Sequence, residues 1–428
     1  MNVPVKCDPR EVLFVHSSLA IYHILCSVLM VAIFIATKRL VESFRRSYSK
    51  LTVVVIGGGP VGLTAVLVAA LSKKVSNIIL FEEMFRNNLC NKPSQIAFNP
   101  KTVKFLRTLD IDFDNLEGCW SNDYFYTRSG VYTDYLLCVL YKFNKKVDLK
   151  LGTKFTRDTI KEVDKVVGRK LVIACDGSNG NGARIMGLND EFLQHSLNAY
   201  GAVAGVDRLV HGAVPVPETS VQNILFDLGA YGILVDERQE PQGFTVKLFG
   251  NLRHRYMNIA IPKCESTLLK SMRLVLDRSI PHTDVVSNLE LLFTIIMRNI
   301  FIKCFNTYKS EVESSISEST ALKTLKFSPR LFEIKLSQRL ETVVYFKETD
   351  TFLIAEGEAA RCTNFHTGKD INLAMDGLPI LNRFITMITW ASSEHSIMEA
   401  MLFKSRSAER ICKSFLKNGL RDTVFSPS

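Results

Sequence analysis

Gly57, Gly59 and Gly62 fall in the run Gly57-Gly58-Gly59-Pro60-Val61-Gly62, a G-x-G-x-x-G spacing suited to holding a diphosphate on main-chain N–H groups. The first glycine makes the tight turn, the second lets phosphate approach the backbone, and the third lets a helix lie close on a strand. Pro60 sits inside the same turn and is counted with it. Glu82 follows the last glycine by about twenty residues, where a carboxylate accepts hydrogen bonds from ribose hydroxyls. An acid at that place, rather than an arginine, disfavours a 2′-phosphate on the occupant. Its neighbour Glu83 reads as a solvated side chain.

The elements that must position these residues are written around them. Leu51-Thr52-Val53-Val54-Val55-Ile56 is an almost wholly apolar, β-branched run, as a central parallel strand would be. The stretch LTAVLVAALSKK after Gly62 reads as a helix, and Asn77 to Phe81 as a second strand ending at Glu82. The helix N-terminus brings partial positive charge to the phosphates. Strand, turn, helix, strand and acid together predict a Rossmann-like dinucleotide unit, which by itself fits NAD and FAD equally.

Two later segments bear on that choice. Lys170 to Ala174 is a buried-strand pattern leading through Cys175 to Asp176-Gly177, and Thr351 to Glu356 is another, followed by Gly357-Glu358-Ala359-Ala360 and then Gly368-Lys369-Asp370-Ile371-Asn372. In this order the three motifs resemble those of the class A flavoprotein monooxygenases, the para-hydroxybenzoate hydroxylase fold. The resemblance implies an α/β protein: a discontinuous Rossmann-like FAD-binding domain plus a mostly antiparallel β-sheet substrate domain. It implies FAD as cofactor, NADPH or NADH as a transient reductant, and oxygenation of a small-molecule substrate. No second G-x-G-x-x-G is present, in keeping with a reductant that visits without its own domain.

By the same resemblance Asp176, Gly177, Gly357, Glu358, Gly368 and Asn372 join Gly57, Gly59, Pro60, Gly62 and Glu82 as cofactor-binding residues. Glu358 would face the ribityl chain or diphosphate, and the Gly368–Asn372 backbone the flavin pyrimidine. The chain departs from the family pattern at Glu358 in place of aspartate, Phe365 in place of proline and Asp370 in place of glycine. Cys175 stands where the family has a small alanine and reads as packing. Phe85-Arg86-Asn87-Asn88 and the run Ala97 to Arg107 faintly resemble the MICAL-type monooxygenases, members of the same fold.

Between these motifs, Thr133 to Tyr141 reads as an amphipathic helix and Val147 to Leu151 as a strand. From about 196 to 340 the character changes to short β runs at Ala202–Val206, Asn223–Phe226, Gly232–Val235, Phe244–Phe249 and Tyr256–Ile261, separated by Gly, Pro and charged turns. They predict an antiparallel sheet walling a substrate pocket. Helices are expected at 284–306 and 310–324, punctuated by Pro281 and Pro329. His254, between Arg253 and Arg255, reads as an exposed hairpin residue, and His366 as structural or solvent-facing.

From Val12 to Ala36 no formal charge occurs, a length that exceeds the roughly 20 residues needed to cross a bilayer. A membrane anchor, a signal peptide and a buried soluble helix all fit such a stretch. The absence of a small-x-small site at its end and its length favour the anchor. Lys38, Arg39, Arg45, Arg46 and Lys50 follow it and only Lys6 and Arg10 precede it, which places the remainder in the cytosol. The stretch 285–305 is broken by Glu290, Arg298 and Lys303 and is no second span.

The expected organisation is an anchor with a basic juxtamembrane segment (1–50), a first FAD-binding part (51–195), a β-rich substrate domain (196–340), and a second FAD-binding part with C-terminal helices (341–428). The formal charge of +10 is spread without a long basic run, which argues against nucleic acid. The ten cysteines are single, with no CxxC pair, so neither a disulfide framework nor a metal box is expected. No catalytic residue beyond the cofactor's chemistry is assigned. The leading expectation is a membrane-bound, FAD-dependent oxidoreductase. A flavin-fold protein that binds without turnover and an NAD-dependent dehydrogenase are the alternatives.

Overall fold

The computed structural model describes residues 9–48, 51–92, 94–121, 123–207, 220–225, 243–250, 254–262, 330–364 and 368–419. It divides into two units, Met1–Lys50 and Leu51–Ser428.

The first unit is helix α1 (Pro9–Tyr48). Its segment Ala20–Lys38 has a mean hydropathy of 2.3 and is long and apolar enough to cross a membrane. Large apolar side chains such as Leu25, Leu29 and Phe34 are exposed along it.

In the second unit the described strands are β1 (Leu51–Ile56), β2 (Val75–Glu82), β3 (Gln95–Phe98), β4 (Cys119–Ser121), β5 (Tyr124–Arg128), β6 (Val147–Leu151), β7 (Lys170–Ala174), β8 (Phe192–Asp207), β9 (Ser220–Leu225), β10 (Gly243–Gly250), β11 (His254–Pro262), β12 (Arg330–Arg339), β13 (Val343–Phe346), β14 (Thr351–Ala355) and β15 (Arg361–Thr363). The helices are α2 (Pro60–Leu71), α3 (Arg86–Cys90), α4 (Pro100–Arg107), α5 (Ser129–Leu140), α6 (Arg157–Asp164) and α7 (Gly182–Ile185). After them come α8 (Asp370–Met375), α9 (Leu381–Trp390) and α10 (Glu394–Ser414).

A six-stranded sheet of order β13-β14-β7-β1-β2-β6 forms the centre. β14, β7, β1, β2 and β6 run parallel, with β13 antiparallel at one edge. β1 is buried at every position, as a strand covered on both faces must be. Helix α2 buries Val61 through Ala70 without a polar face, which explains a sequence apolar all round. Alignment of Ile56, Ala174 and Ala355 across β1, β7 and β14 puts Gly57, Cys175 and Glu356 at the same carboxyl edge. The C-terminal strand β14 thus inserts beside β7, the discontinuity expected from the motif order.

A second six-stranded sheet, β15-β12-β8-β11-β10-β9, is antiparallel throughout its pairings. It contains four of the five β runs read from sequence. β15 adds residues 361–363 to its edge by pairing with β12, so the chain segment after 341 contributes to both sheets. β11, which opens at His254, lies between β8 and β10 and is not an edge strand. The run at Gly232–Val235, the helices expected at 284–306 and 310–324, the rejected span at 285–305, Phe365 and His366 lie outside the described residues. A small sheet β3-β5-β4 completes the fold.

Candidate cofactor cleft

At the carboxyl edge of β1, β2 and β7 a cleft of about 930 Å³ opens, near the upper end of the roughly 300–1,000 Å³ typical of small-molecule sites. Its lining includes Gly57, Gly59, Pro60, Glu82, Asp176, Gly177, Glu358 and Gly368, segments far apart in sequence.

The glycine turn works by close approach. Gly57 has φ +99°, and a Cβ there would lie 2.6 Å from the Cys175 carbonyl oxygen. A Cβ on Gly62 would lie 1.9 Å from the Gly57 carbonyl oxygen, so Gly62 is the helix-on-strand contact and does not line the cleft. Gly59 is the opposite case: a Cβ there meets nothing within 4 Å and would project into open space. That is the cradle a diphosphate needs at the N-terminus of α2.

Glu82 is buried, and its carboxylate accepts from the Gly58 N–H and, at 2.9 Å, from the Met84 N–H. The acid therefore braces the turn as well as facing the cleft. A Cβ on Gly58 would come within 3.0 Å of the Glu82 side chain, a requirement the glycine spacing alone did not reveal. Glu83 lines the cleft from its rim, half-exposed and paired with Lys154 at 3.1 Å.

Asp176 Oδ2 accepts from the Gly182 N–H at 2.7 Å, while its buried Oδ1 has no partner among protein groups. Burial raises the Asp176 pKa, opposed by backbone N–H groups and the charge of Arg339. Gln95 Oε1 is likewise buried and unpartnered, and both residues line the cleft. The neighbouring Cys175 thiol is held protonated by burial, reinforced by Glu356 and Asp176, which supports its reading as packing.

Of the later cofactor residues, Glu358 and Gly368 line the cleft, Gly368 with φ +77°. Gly357 does not. Its φ of +64° turns the chain out of β14, and a Cβ there would sit 3.1 Å from Val61. Asn372 does not line the cleft either. Its amide Nδ2 donates to the Ala97 and Lys369 carbonyls, its Oδ1 accepts from the Asn99 N–H, and its own N–H bonds Lys369 O at 3.1 Å. With these groups engaged, Asn372 ties the 368–372 turn to β3 and the residue after it.

Asp370 lines the cleft together with Glu358. The Cys362 thiol is pushed up to about 12, first by burial and then by the charges of Glu358 and Asp370. Sequence reasoning missed the basic side chains of the lining, Lys92, Lys154, Arg157 and Arg184, because no local pattern marks them. Arg339 was also missed. Almost fully buried, it donates to the Ala359 and Asn189 carbonyls and pairs with Asp190 at 3.0 Å, bracing the turn that carries Glu358. Among the described residues no group of three His, Cys, Asp or Glu could hold a metal ion.

A parallel sheet with a glycine-turn cleft at its carboxyl edge, joined to an antiparallel sheet, defines a dinucleotide-binding α/β protein. No protein-family model and no curated protein sequence matches the chain. Among solved structures it is similar to p-nitrophenol 4-monooxygenase PnpA from Pseudomonas putida DLL-E4, at 12% identity and TM-score 0.47 over 88% of this chain and 91% of that one. It is also similar to the tetracycline destructase Tet(51), at 12% identity and TM-score 0.44 over 87% and 90%. A third is 2-methyl-3-hydroxypyridine-5-carboxylic acid oxygenase, at 11% identity and TM-score 0.44 over 88% and 95%.

Proposed function

We propose that the chain is an FAD-dependent oxidoreductase, of monooxygenase type, that uses NADPH or NADH and is held at a membrane by α1. One observation carries the reading: the glycine turn, the Asp176-Gly177 strand end and the Glu358 and Gly368 segments converge on one cleft with open space at Gly59. Gly57 to Pro60 would hold the diphosphate, Glu82 a ribose, and Asp176, Glu358 and Gly368 the ribityl and ring end. When bound, FAD would supply electron transfer and oxygen activation. The chain's own part is to bind, orient and shield it. A membrane helix suits a lipophilic substrate walled by the antiparallel sheet.

A second reading, a flavin-binding protein without turnover, is favoured by the two carboxylate residues Glu358 and Asp370 in the cleft lining, where the family pattern has aspartate and glycine. The absorption spectrum of the purified full-length protein decides between them. A flavin spectrum that bleaches with NADPH or NADH under anaerobic conditions and returns in air supports the oxidoreductase. Bound flavin that no nicotinamide reduces favours the second reading, and colourless protein that binds no added FAD removes both.

A further inference from the structure

Behind the cofactor turn lies an ion cluster that none of the motifs announces. Glu356, Arg361 and Lys404 are each 3% exposed or less. Glu356 Oε2 accepts from Arg361 Nη2 at 3.1 Å, and Oε1 from Lys404 Nζ. The cluster holds two cations against one carboxylate. The surplus positive charge is met by main-chain carbonyls around the end of α8: Arg361 Nε donates to Leu373 O at 3.1 Å and Lys404 Nζ to Gly377 O at 3.2 Å. Carbonyls at a helix end carry partial negative charge, so the arrangement is electrostatically matched. Gly377 allows it, since a Cβ there would stand 1.9 Å from Glu356 Oε2.

The placement gives the cluster its meaning. Glu356 immediately precedes Gly357-Glu358, Arg361 follows the same turn, and Leu373 and Gly377 lie at the far end of the segment that begins at Gly368. Lys404 comes from α10, remote in sequence from both. One buried charge set therefore joins both C-terminal cofactor segments to the C-terminal helix.

We propose that Glu356, Arg361 and Lys404 form a positioning clamp through which α10 fixes the Gly357–Glu358 turn and the 368–377 segment, and so sets the affinity for FAD. The proposal rests on the FAD reading above. None of the three residues lines the cleft, so the effect acts through Glu358 and Gly368. Removing Lys404 is the informative change, because it leaves Glu356 paired with Arg361, whereas removing Glu356 strands two buried cations.

The test uses full-length protein with Lys404→Met, and with Lys413→Met as control, since Lys413 makes only an exposed pair with Glu409 on the same helix. FAD affinity is measured by fluorescence titration, and amide hydrogen exchange is followed in cofactor-free protein. The expected result is a cooperative fold, an FAD Kd raised at least tenfold, and faster exchange confined to about residues 356–377, with K413M unchanged. Should K404M not fold, Lys404→Gln, which keeps an N–H donor for the Gly377 carbonyl, carries the same measurements. Unchanged FAD affinity overturns the proposal, as does exchange that quickens uniformly along the chain. If wild-type protein binds no FAD, the FAD reading itself falls and takes the proposal with it, an outcome recognised before any variant is made.

Discussion

Gly59 and Gly62, three positions apart in one turn, separate binding from folding. Gly59 has ordinary extended backbone, φ −71° and ψ −179°, and open space where a Cβ would go. Gly59→Ala is therefore expected to keep wild-type melting behaviour while weakening FAD binding by an order of magnitude or more. Gly62→Ala drives a methyl into the Gly57 carbonyl and is expected to cost about 3 kcal/mol of stability, the upper part of the overpacking range, read by denaturant unfolding. If both variants lost stability equally, Gly59 would have no claim to a ligand. At this scale the turn and Glu82 were legible in sequence, because they answer to local backbone geometry. The Asn372 clamp was not, because its partners Ala97 and Asn99 lie at the other end of the second unit's sequence. The basic lining at Lys92, Lys154, Arg157 and Arg184 was hidden for the same reason.

Among the elements, β1, β7 and β14 follow from runs buried at every position, α2 from a helix apolar all round and β6 from alternation at the sheet edge, and each was readable from its own residues. Their order across the sheet was not legible in those residues, because it is set by pairing between segments far apart in sequence. Helix α10 shows what pattern alone misses, since Lys404 looks like any solvated lysine until the fold buries it against Glu356. The pair carries a pH signature. Burial pushes the Glu356 pKa up, but the charges of Lys404 and Arg361 and their hydrogen bonds outweigh it and hold the carboxyl below its ordinary value. A depressed folded-state pKa contributes stability that is present above the unfolded value of about 4.3 and is lost as pH falls through the folded value. Glu356→Gln should thus be less stable than wild type at pH 7, by about 3–5 kcal/mol for a broken buried pair. It should also lose part of the wild-type decline in melting temperature below about pH 4. A parallel decline in both proteins would show that Glu356 is not the group responsible.

At the scale of the molecule, the core clusters of the second unit are built entirely from residues after Lys50, from Leu51 in β1 to Ala400 in α10 and from Val54 to Ala360 on the sheet's other face. The apolar surface of α1 from Ala20 to Lys38 is instead exposed along its described length, a costly arrangement in water at about 25 cal/mol per Å² and a favourable one in lipid. A chain beginning at Leu51 is therefore expected to fold and to keep the flavin spectrum of the full-length protein, while moving from the membrane fraction to the soluble fraction of a cell lysate. Tags on the two ends of the full-length chain, probed after selective permeabilisation, should find the carboxyl end in the cytosol, where the basic residues after the span direct it. Full-length protein that resists neither alkaline carbonate nor salt extraction would remove the anchor, a shortened mature N-terminus would make the segment a signal peptide, and a lumenal carboxyl end would reverse the topology. In each of those cases the flavin spectrum of the chain beginning at Leu51 tests the cleft at Gly57 to Gly62 separately.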